Sequence, residues 1–272
     1  MTKLIAALWL VSNLAAATAW AQPLPFNEAG VTMGHWHLNS RDVEASKKIF
    51  VGMGGIAMKP GDFDIVQFPG VIVNLHLRPG SPPSTGPTEG TVVNHVGFIV
   101  QNVQESIVKW KAAGVPVLPG NNNRLDQAYV VTPDGLRIEI LEDKTQNVPI
   151  RHEHVHFFLP ESAMAESQAW YAKIFGAKPG TRNNALVADV PGVQLRFAKT
   201  DKPLITTQGR ILDHIGFDVK DLQAFIKKLE ANGIKLARPY TKRESGDALA
   251  FIVDPWGVYI ELNERPGQVY SR

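Results

Sequence analysis

Four histidines stand at nearly equal intervals along the chain: His35, His95, His154 and His214, with gaps of 60, 59 and 60 residues. Each sits among apolar neighbours, as in Asn94-His95-Val96-Gly97-Phe98-Ile99-Val100 and Asp213-His214-Ile215-Gly216-Phe217-Asp218-Val219. Imidazole is the commonest metal ligand and titrates near neutral pH, so such a series could do metal or proton chemistry. Two carboxylates share the setting, Glu139 in Arg137-Ile138-Glu139-Ile140-Leu141 and Glu261 in Tyr259-Ile260-Glu261-Leu262. Side chains alternate across a strand, so each carboxylate points away from its apolar neighbours, toward solvent on a plain sheet or toward a polar site. A single histidine on an apolar strand is more often a satisfied core residue, and His76 and His152 fit that description. Four at equal spacing do not. His37 shares a strand face with His35, and His152 and His156 share one with His154, so a register shift of two would exchange the candidates.

The positioning elements repeat with the histidines. The stretch from Asn94 aligns with that from Asp213 without a gap as far as Gly114 and Gly233; a third copy opens at His154 and ends near Gly176, and a weaker one runs from His35 to about Gly52. Such self-similarity marks a chain built from one supersecondary unit. In each copy a short strand carries the histidine and a helix follows, with Leu222, Phe225, Ile226 and Leu229 on one apolar face and Gly233 as the stop. Strand-like runs and a turn close the unit: Ala128 to Thr132, Pro133-Asp134-Gly135 and Leu136 to Leu141, echoed by Ala250 to Val253, Asp254-Pro255-Trp256-Gly257 and Val258 to Leu262. A Pro-rich segment, 79–87, links copies one and two, and a lighter break, Asp143 to Ile150, separates the halves.

This unit resembles the module of the vicinal oxygen chelate superfamily, which includes glyoxalase I, bleomycin resistance proteins and extradiol dioxygenases. The resemblance covers about residues 31 to 264. It implies an α+β fold of four βαβββ modules paired into two half-open-barrel domains, taken in sequence order as 31–143 (modules 31–79 and 91–143) and 151–265 (modules 151–199 and 211–265). It implies ligands on the opening and closing strands of each module: His35, His95 and Glu139 in one site, His154, His214 and Glu261 in the other, with Asn74 and Arg196 in the fourth slots as substrate-binding candidates. Crossed pairing, module one with four and two with three, leaves each site the same composition. Two histidines and a carboxylate leave open positions on a divalent metal, with Fe(II) the first choice and Zn(II), Mn(II) or Ni(II) compatible. The resemblance further casts Tyr129 as a catalytic phenol beside Glu139; Phe251 stands in its place in the last module. The upstream histidine of ring-cleaving dioxygenases has no counterpart in Asn121 to Gln127 or Thr241 to Leu249, which counts against that activity.

Composition narrows the rest. Zero cysteines exclude disulfides, thiolate metal sites and a cysteine nucleophile. No phosphate loop, nucleophile elbow or dinucleotide fingerprint is present. Lys3, an apolar run from Leu4 to Ala19 and the small-x-small sequence Ala19-Trp20-Ala21 read as a signal peptide over 1–21, hence secretion or a periplasmic location. With 28 basic and 26 acidic residues, Lys3 among the former, the mature chain is near neutral. Bulk binding of nucleic acid or anionic lipid is not expected. The expected partner is a small-molecule substrate, bound by a monomer or homodimer. Two classes remain, an exported metal-dependent enzyme of dioxygenase or glyoxalase type and a metal-free binding or sequestering protein of the same fold. Elemental content separates them.

Overall fold

The computed structural model describes residues 24–75 and 83–265. The signal segment 1–21, His76 and part of the Pro-rich link therefore lie outside the described residues. Module one comprises β1 (Val31–Leu38), α1 (Val43–Gly52), β2 (Ile56–Met58), β3 (Ile65–Phe68) and β4 (Val71–Asn74). Module two comprises β5 (Val93–Val100), α2 (Val103–Ala112), β6 (Val117–Pro119), β7 (Gln127–Val131) and β8 (Arg137–Glu142). Module three has β9 (Ile150–Leu159), α3 (Glu161–Phe175), β10 (Lys178–Arg182), β11 (Ala185–Val190) and β12 (Val193–Lys199). Module four has β13 (Leu212–Val219), α4 (Leu222–Ala231), β14 (Arg238–Lys242), β15 (Ala248–Val253) and β16 (Tyr259–Glu264).

Local chemistry explains the helix bounds. Asp42, Asn102 and Asp221 each accept a backbone N–H from three residues on, at 2.9, 3.1 and 2.9 Å, capping α1, α2 and α4. Gly114 and Gly233 stop α2 and α4 as expected, at φ of 80° and 73°. In module one the left-handed residue is Gly54, two beyond the expected Gly52.

The modules pair crosswise. One eight-stranded sheet runs β14-β15-β16-β13-β1-β4-β3-β2, from modules four and one; the other runs β10-β11-β12-β9-β5-β8-β7-β6, from modules three and two. This corrects the domain assignment 31–143 and 151–265, since neither range is a sheet. The physical reason lies in the connectors. Modules two and three are joined by only the short stretch after Glu142, so β5 and β9 become antiparallel neighbours, as short connections favour. The break read as a boundary between halves is thus the tie inside one sheet. The two longer connectors cross between sheets and pair with each other: Thr85 and Ile211 exchange backbone hydrogen bonds with Gly209 and Gly86 at 2.9 and 3.0 Å. Within every module the opening strand runs parallel to the closing one, which sets histidine and closing-strand residue side by side.

Period two then divides the side chains. Phe98, Phe157 and Phe217, three residues after their histidines, point into the core and are fully buried. Trp36 packs edge-on against Phe98 and His152, at 5.3 and 4.9 Å between ring centroids, where the two sheets meet. The strands after α2, α3 and α4 are sheet edges, and each carries a proline, Pro119, Pro179 or Pro239, which blunts the edge.

Candidate metal centres

Crossed pairing regroups the predicted ligands. Two clusters form, His95, His154, His156 and Glu139 on one sheet and His35, His214 and Glu261 on the other; in each, one ligand atom per residue lies within 4.8 Å of all the rest. The triads are therefore those of the crossed arrangement, not His35–His95–Glu139 and His154–His214–Glu261. Register brings them together: Gly97 faces His154 and His95 faces His156 across β5 and β9, and Gly216 faces His35 and His214 faces His37 across β1 and β13. A Cβ on Gly97 would lie 2.0 Å from the His154 ring, and one on Gly216 equally near the His35 ring. Only glycine admits the neighbouring imidazole, so His-x-Gly in one module and His-x-His in its partner form one interlocking unit.

In the Glu139 cluster the rings are held from behind. His95 Nδ1 is 2.9 Å from Asn94 Oδ1 and His154 Nδ1 is 2.5 Å from Glu153 Oε2. Both oxygens accept only, so Nδ1 carries the proton, and in the neutral ring Nε2 offers a lone pair. Those Nε2 atoms lie 3.4 and 3.1 Å from Glu139 Oε2. His154 Nε2 is buried without a hydrogen-bond partner. His156 Nδ1 stands 3.0 Å from His95 Nε2. Lone pairs and a carboxylate converging on one point away from water are costly unless a cation is shared among them. Burial holds the pKa of His95 down at about 4 and that of His156 at about 2, keeping both imidazoles neutral, as ligation requires. Glu139 is ionised: its pKa is lowered despite its burial, and Gln127 and Tyr129 donate to its Oε1. These residues fit a divalent metal.

Around that cluster, Tyr129 Oη donates to Glu139 Oε1 at 3.3 Å and accepts from Asn121 Nδ2 at 2.9 Å. Gln127 Nε2 donates to the same Oε1. Burial raises the Tyr129 pKa, so the phenol stays protonated and can donate to a ligand oxygen. Arg196 lies beside the cluster but donates to Glu153 Oε1 at 2.5 Å and Gln194 Oε1 at 3.0 Å. Its guanidinium thus orients Glu153, where the sequence suggested a seat for an anionic substrate. Asn74 sits opposite His37 in register.

The Glu261 cluster has the same outline and different protons. His214 lies between two carboxylates, Nδ1 at 2.6 Å from Asp213 Oδ1 and Nε2 at 2.8 Å from Glu261 Oε2. Burial opposes its charge, but the hydrogen bonds to Asp213 and Glu261 prevail and raise its pKa. His35 follows Gly34, which has no side chain to accept, and Arg265 Nη2 donates to its Nδ1 at 3.2 Å. That leaves the proton on Nε2, which faces Glu261 Oε2 at 3.4 Å. His37 stacks on His214 at 4.6 Å, and Phe251 occupies the place of Tyr129.

Sequence reasoning missed Glu153, and it took His156, the third histidine of the first cluster, only as an alternative to His154. A signal existed: three of the four histidines follow Asn94, Glu153 or Asp213, each able to hold Nδ1. His152 is what its isolation suggested, a core residue bonded to the Gly192 carbonyl at 2.8 Å and held neutral by burial at a pKa of about 3.

Residues 154–262 match the sequence model of the Glyoxalase/Bleomycin resistance protein/Dioxygenase superfamily. That stretch is modules three and four, one half of each sheet. Among solved structures, a V278E variant of glyoxalase I from Zea mays is 15% identical, with 92% of this chain and 96% of that one covered at a TM-score of 0.67. A putative dioxygenase from Bacillus subtilis is 14% identical, covering 89% and 87% at 0.64. No curated protein matches the sequence. The chain has the two-domain vicinal oxygen chelate fold of this superfamily.

Proposed function

We propose that the protein is an exported metal-dependent enzyme of the vicinal oxygen chelate type, acting on a small oxygen-rich substrate at the Glu139 cluster. The observation that carries this reading is the buried convergence of the His95 and His154 Nε2 atoms on Glu139, with His156 alongside. His95, His154, His156 and Glu139 would hold the metal; Fe(II) is the first choice, with Zn(II), Mn(II) or Ni(II) alternatives. A divalent ion held there supplies Lewis-acid polarisation of two neighbouring substrate oxygens. Asn94 and Glu153 fix the ring planes of His95 and His154, and Glu153 is itself fixed by Arg196 and Arg182 at 2.5 and 2.9 Å. Tyr129 directs a phenolic proton into the site as the catalytic donor. The residues fit proton movement beside a carbonyl, as in glyoxalase chemistry, better than ring cleavage, because no histidine lies in Asn121 to Gln127.

The Glu261 cluster is proposed as a second, weaker metal site, because a cation entering it must displace the proton on His214. A metal-free binding protein of the same fold is the rival reading, and export rests on residues 1–21 alone. Elemental analysis of protein purified from its native compartment tests the proposal. At least one metal per chain, lost on Glu139→Ala, is the expected result; metal-free protein that takes up no Fe(II), Mn(II) or Zn(II) overturns it. N-terminal sequencing of the mature protein should begin at or near Gln22, and a chain retaining Met1 would remove the export claim.

A further inference from the structure

Two cavities meet at the Glu139 cluster, and they use their cations differently. The larger, about 590 Å³, is lined by four arginines. Each is answered by a carboxylate: Arg124 by Asp126 at 2.7 Å, Arg182 and Arg196 by Glu153, and Arg151 by Asp143 at 4.0 Å. The second cavity, about 410 Å³, holds His95, His156, Tyr129 and Glu139 at one end. Phe158, Leu204, Arg137 and Lys202 complete much of its wall. Its Arg137 guanidinium lies over the Tyr129 ring at 4.1 Å. Neither Arg137 nor Lys202 forms an ion pair among the described residues. The acidic side chains on this wall are Glu139, turned toward the histidines, and the exposed Glu89.

We propose that the second cavity is a carboxylate seat. It takes a small, partly apolar substrate whose carboxylate is gripped by Arg137 and Lys202 and whose body lies against Phe158 and Leu204. A guanidinium matches a carboxylate through two parallel hydrogen bonds, and Arg137 is already braced by the ring beneath it. Arg137 and Glu139 are two residues apart on β8 and so share a face, about 7 Å apart along the strand. That spacing fits one ring, or a short chain, between the carboxylate and the oxygens presented to the cluster. The role of those oxygens rests on the metal-centre reading; the carboxylate seat does not, and is tested without metal.

The experiment uses the full mature chain, treated with chelator and shown by thermal melt to be folded, with benzoate as probe and benzamide as its neutral isostere. Binding is followed by NMR titration. Benzoate should bind at least about tenfold more tightly than benzamide. The preference should vanish in the double variant Arg137→Leu/Lys202→Ala and persist in Arg124→Gln, which alters a paired arginine of the larger cavity. Equal binding of the two probes to the wild type, or a benzoate preference that survives the double variant, overturns the seat. Failure of the metal reading shows separately, as protein that takes up no divalent ion yet keeps the benzoate preference.

Discussion

The two histidine clusters are the same construction carried out twice, and they differ in where the protons reside. Around Glu139, Asn94 and Glu153 hold the Nδ1 protons of His95 and His154 from behind, leaving both Nε2 atoms turned inward. Around Glu261, His214 holds a proton between Asp213 and Glu261, and Arg265 turns the His35 proton toward Glu261. His214 is hydrogen-bonded to a carboxylate at both ring nitrogens, whereas His154 is so bonded at Nδ1 alone. A change as small as Gly34 where a module-three residue is Glu153 is enough to reverse an imidazole's tautomer. Matching histidine and glutamate positions therefore need not behave alike; the partners behind the rings decide.

The largest effect should separate the clusters outright. Glu139→Ala should weaken the tighter metal site by about a thousandfold or more, on the order of 4 kcal/mol, whereas Glu261→Ala should leave that site intact. Titration of each variant with Zn(II) against a chromogenic competitor reads this, and equal losses would erase the distinction. Activity on a small carbonyl substrate should follow Glu139→Ala and Tyr129→Phe; activity lost with Glu261→Ala but kept with Glu139→Ala would reverse the assignment of the working site.

Next in size is a pH effect in the turn before each closing strand. In the Glu139 sheet Thr132 Oγ1 accepts the Leu136 N–H at 3.1 Å; in the other Asp254 Oδ1 accepts the Val258 N–H at 2.7 Å, and Oδ2 accepts from Tyr171 at 2.8 Å. Burial lifts the Asp254 pKa to about 6 from 3.8. The folded state therefore holds this proton more tightly than the unfolded one. Its contribution, about 3 kcal/mol, is fully present below pH 3.8 and is lost as pH rises through about 6. Asp254→Asn, which cannot titrate, should flatten the stability of the protein between pH 4 and 8 relative to wild type in urea melts. An unchanged slope would place the acid dependence elsewhere.

Metal release should cost slightly less. At a hundredfold excess over Kd, bound Zn(II) stabilises the fold by about 2.7 kcal/mol, so chelator should lower Tm and metal restore it. Most of that shift should disappear in Glu139→Ala and little of it in Glu261→Ala. The smallest effect sharpens the proton argument. Glu153→Gln should weaken metal binding at the first cluster by about 10- to 100-fold. Arg265→Met, which removes the donor to His35 Nδ1, should strengthen binding at the second. A loss there would mean that the tautomer of His35 is set otherwise.

Much of the fold was legible because repetition amplifies weak signals. Four histidines, two helix-stopping glycines and two closing carboxylates in matching places defined the module, and register confirms that opening and closing strands lie side by side. Pairing was not legible. The modules have near-equivalent faces, so hydrophobic patterning is satisfied by either arrangement, and the decision rests with connector length: the short link after Glu142 against the long ones before Val93 and Leu212. Arg196 misled for a related reason. Its closing-strand position suggested a substrate contact, but the neighbour that claims it, Glu153, lies 43 residues away in sequence.

By itself, then, the sequence determined the recurring histidine, the closing carboxylates and the strands that carry them, because period-two alternation and repeat spacing are local properties. Tertiary structure alone decided which histidines meet, since contact across β1–β13 and β5–β9 joins modules far apart in the chain. It also decided which ring nitrogen carries the proton. That depends on acceptors and donors supplied from other strands and from burial, and these exist only once the sheets have closed around the sites.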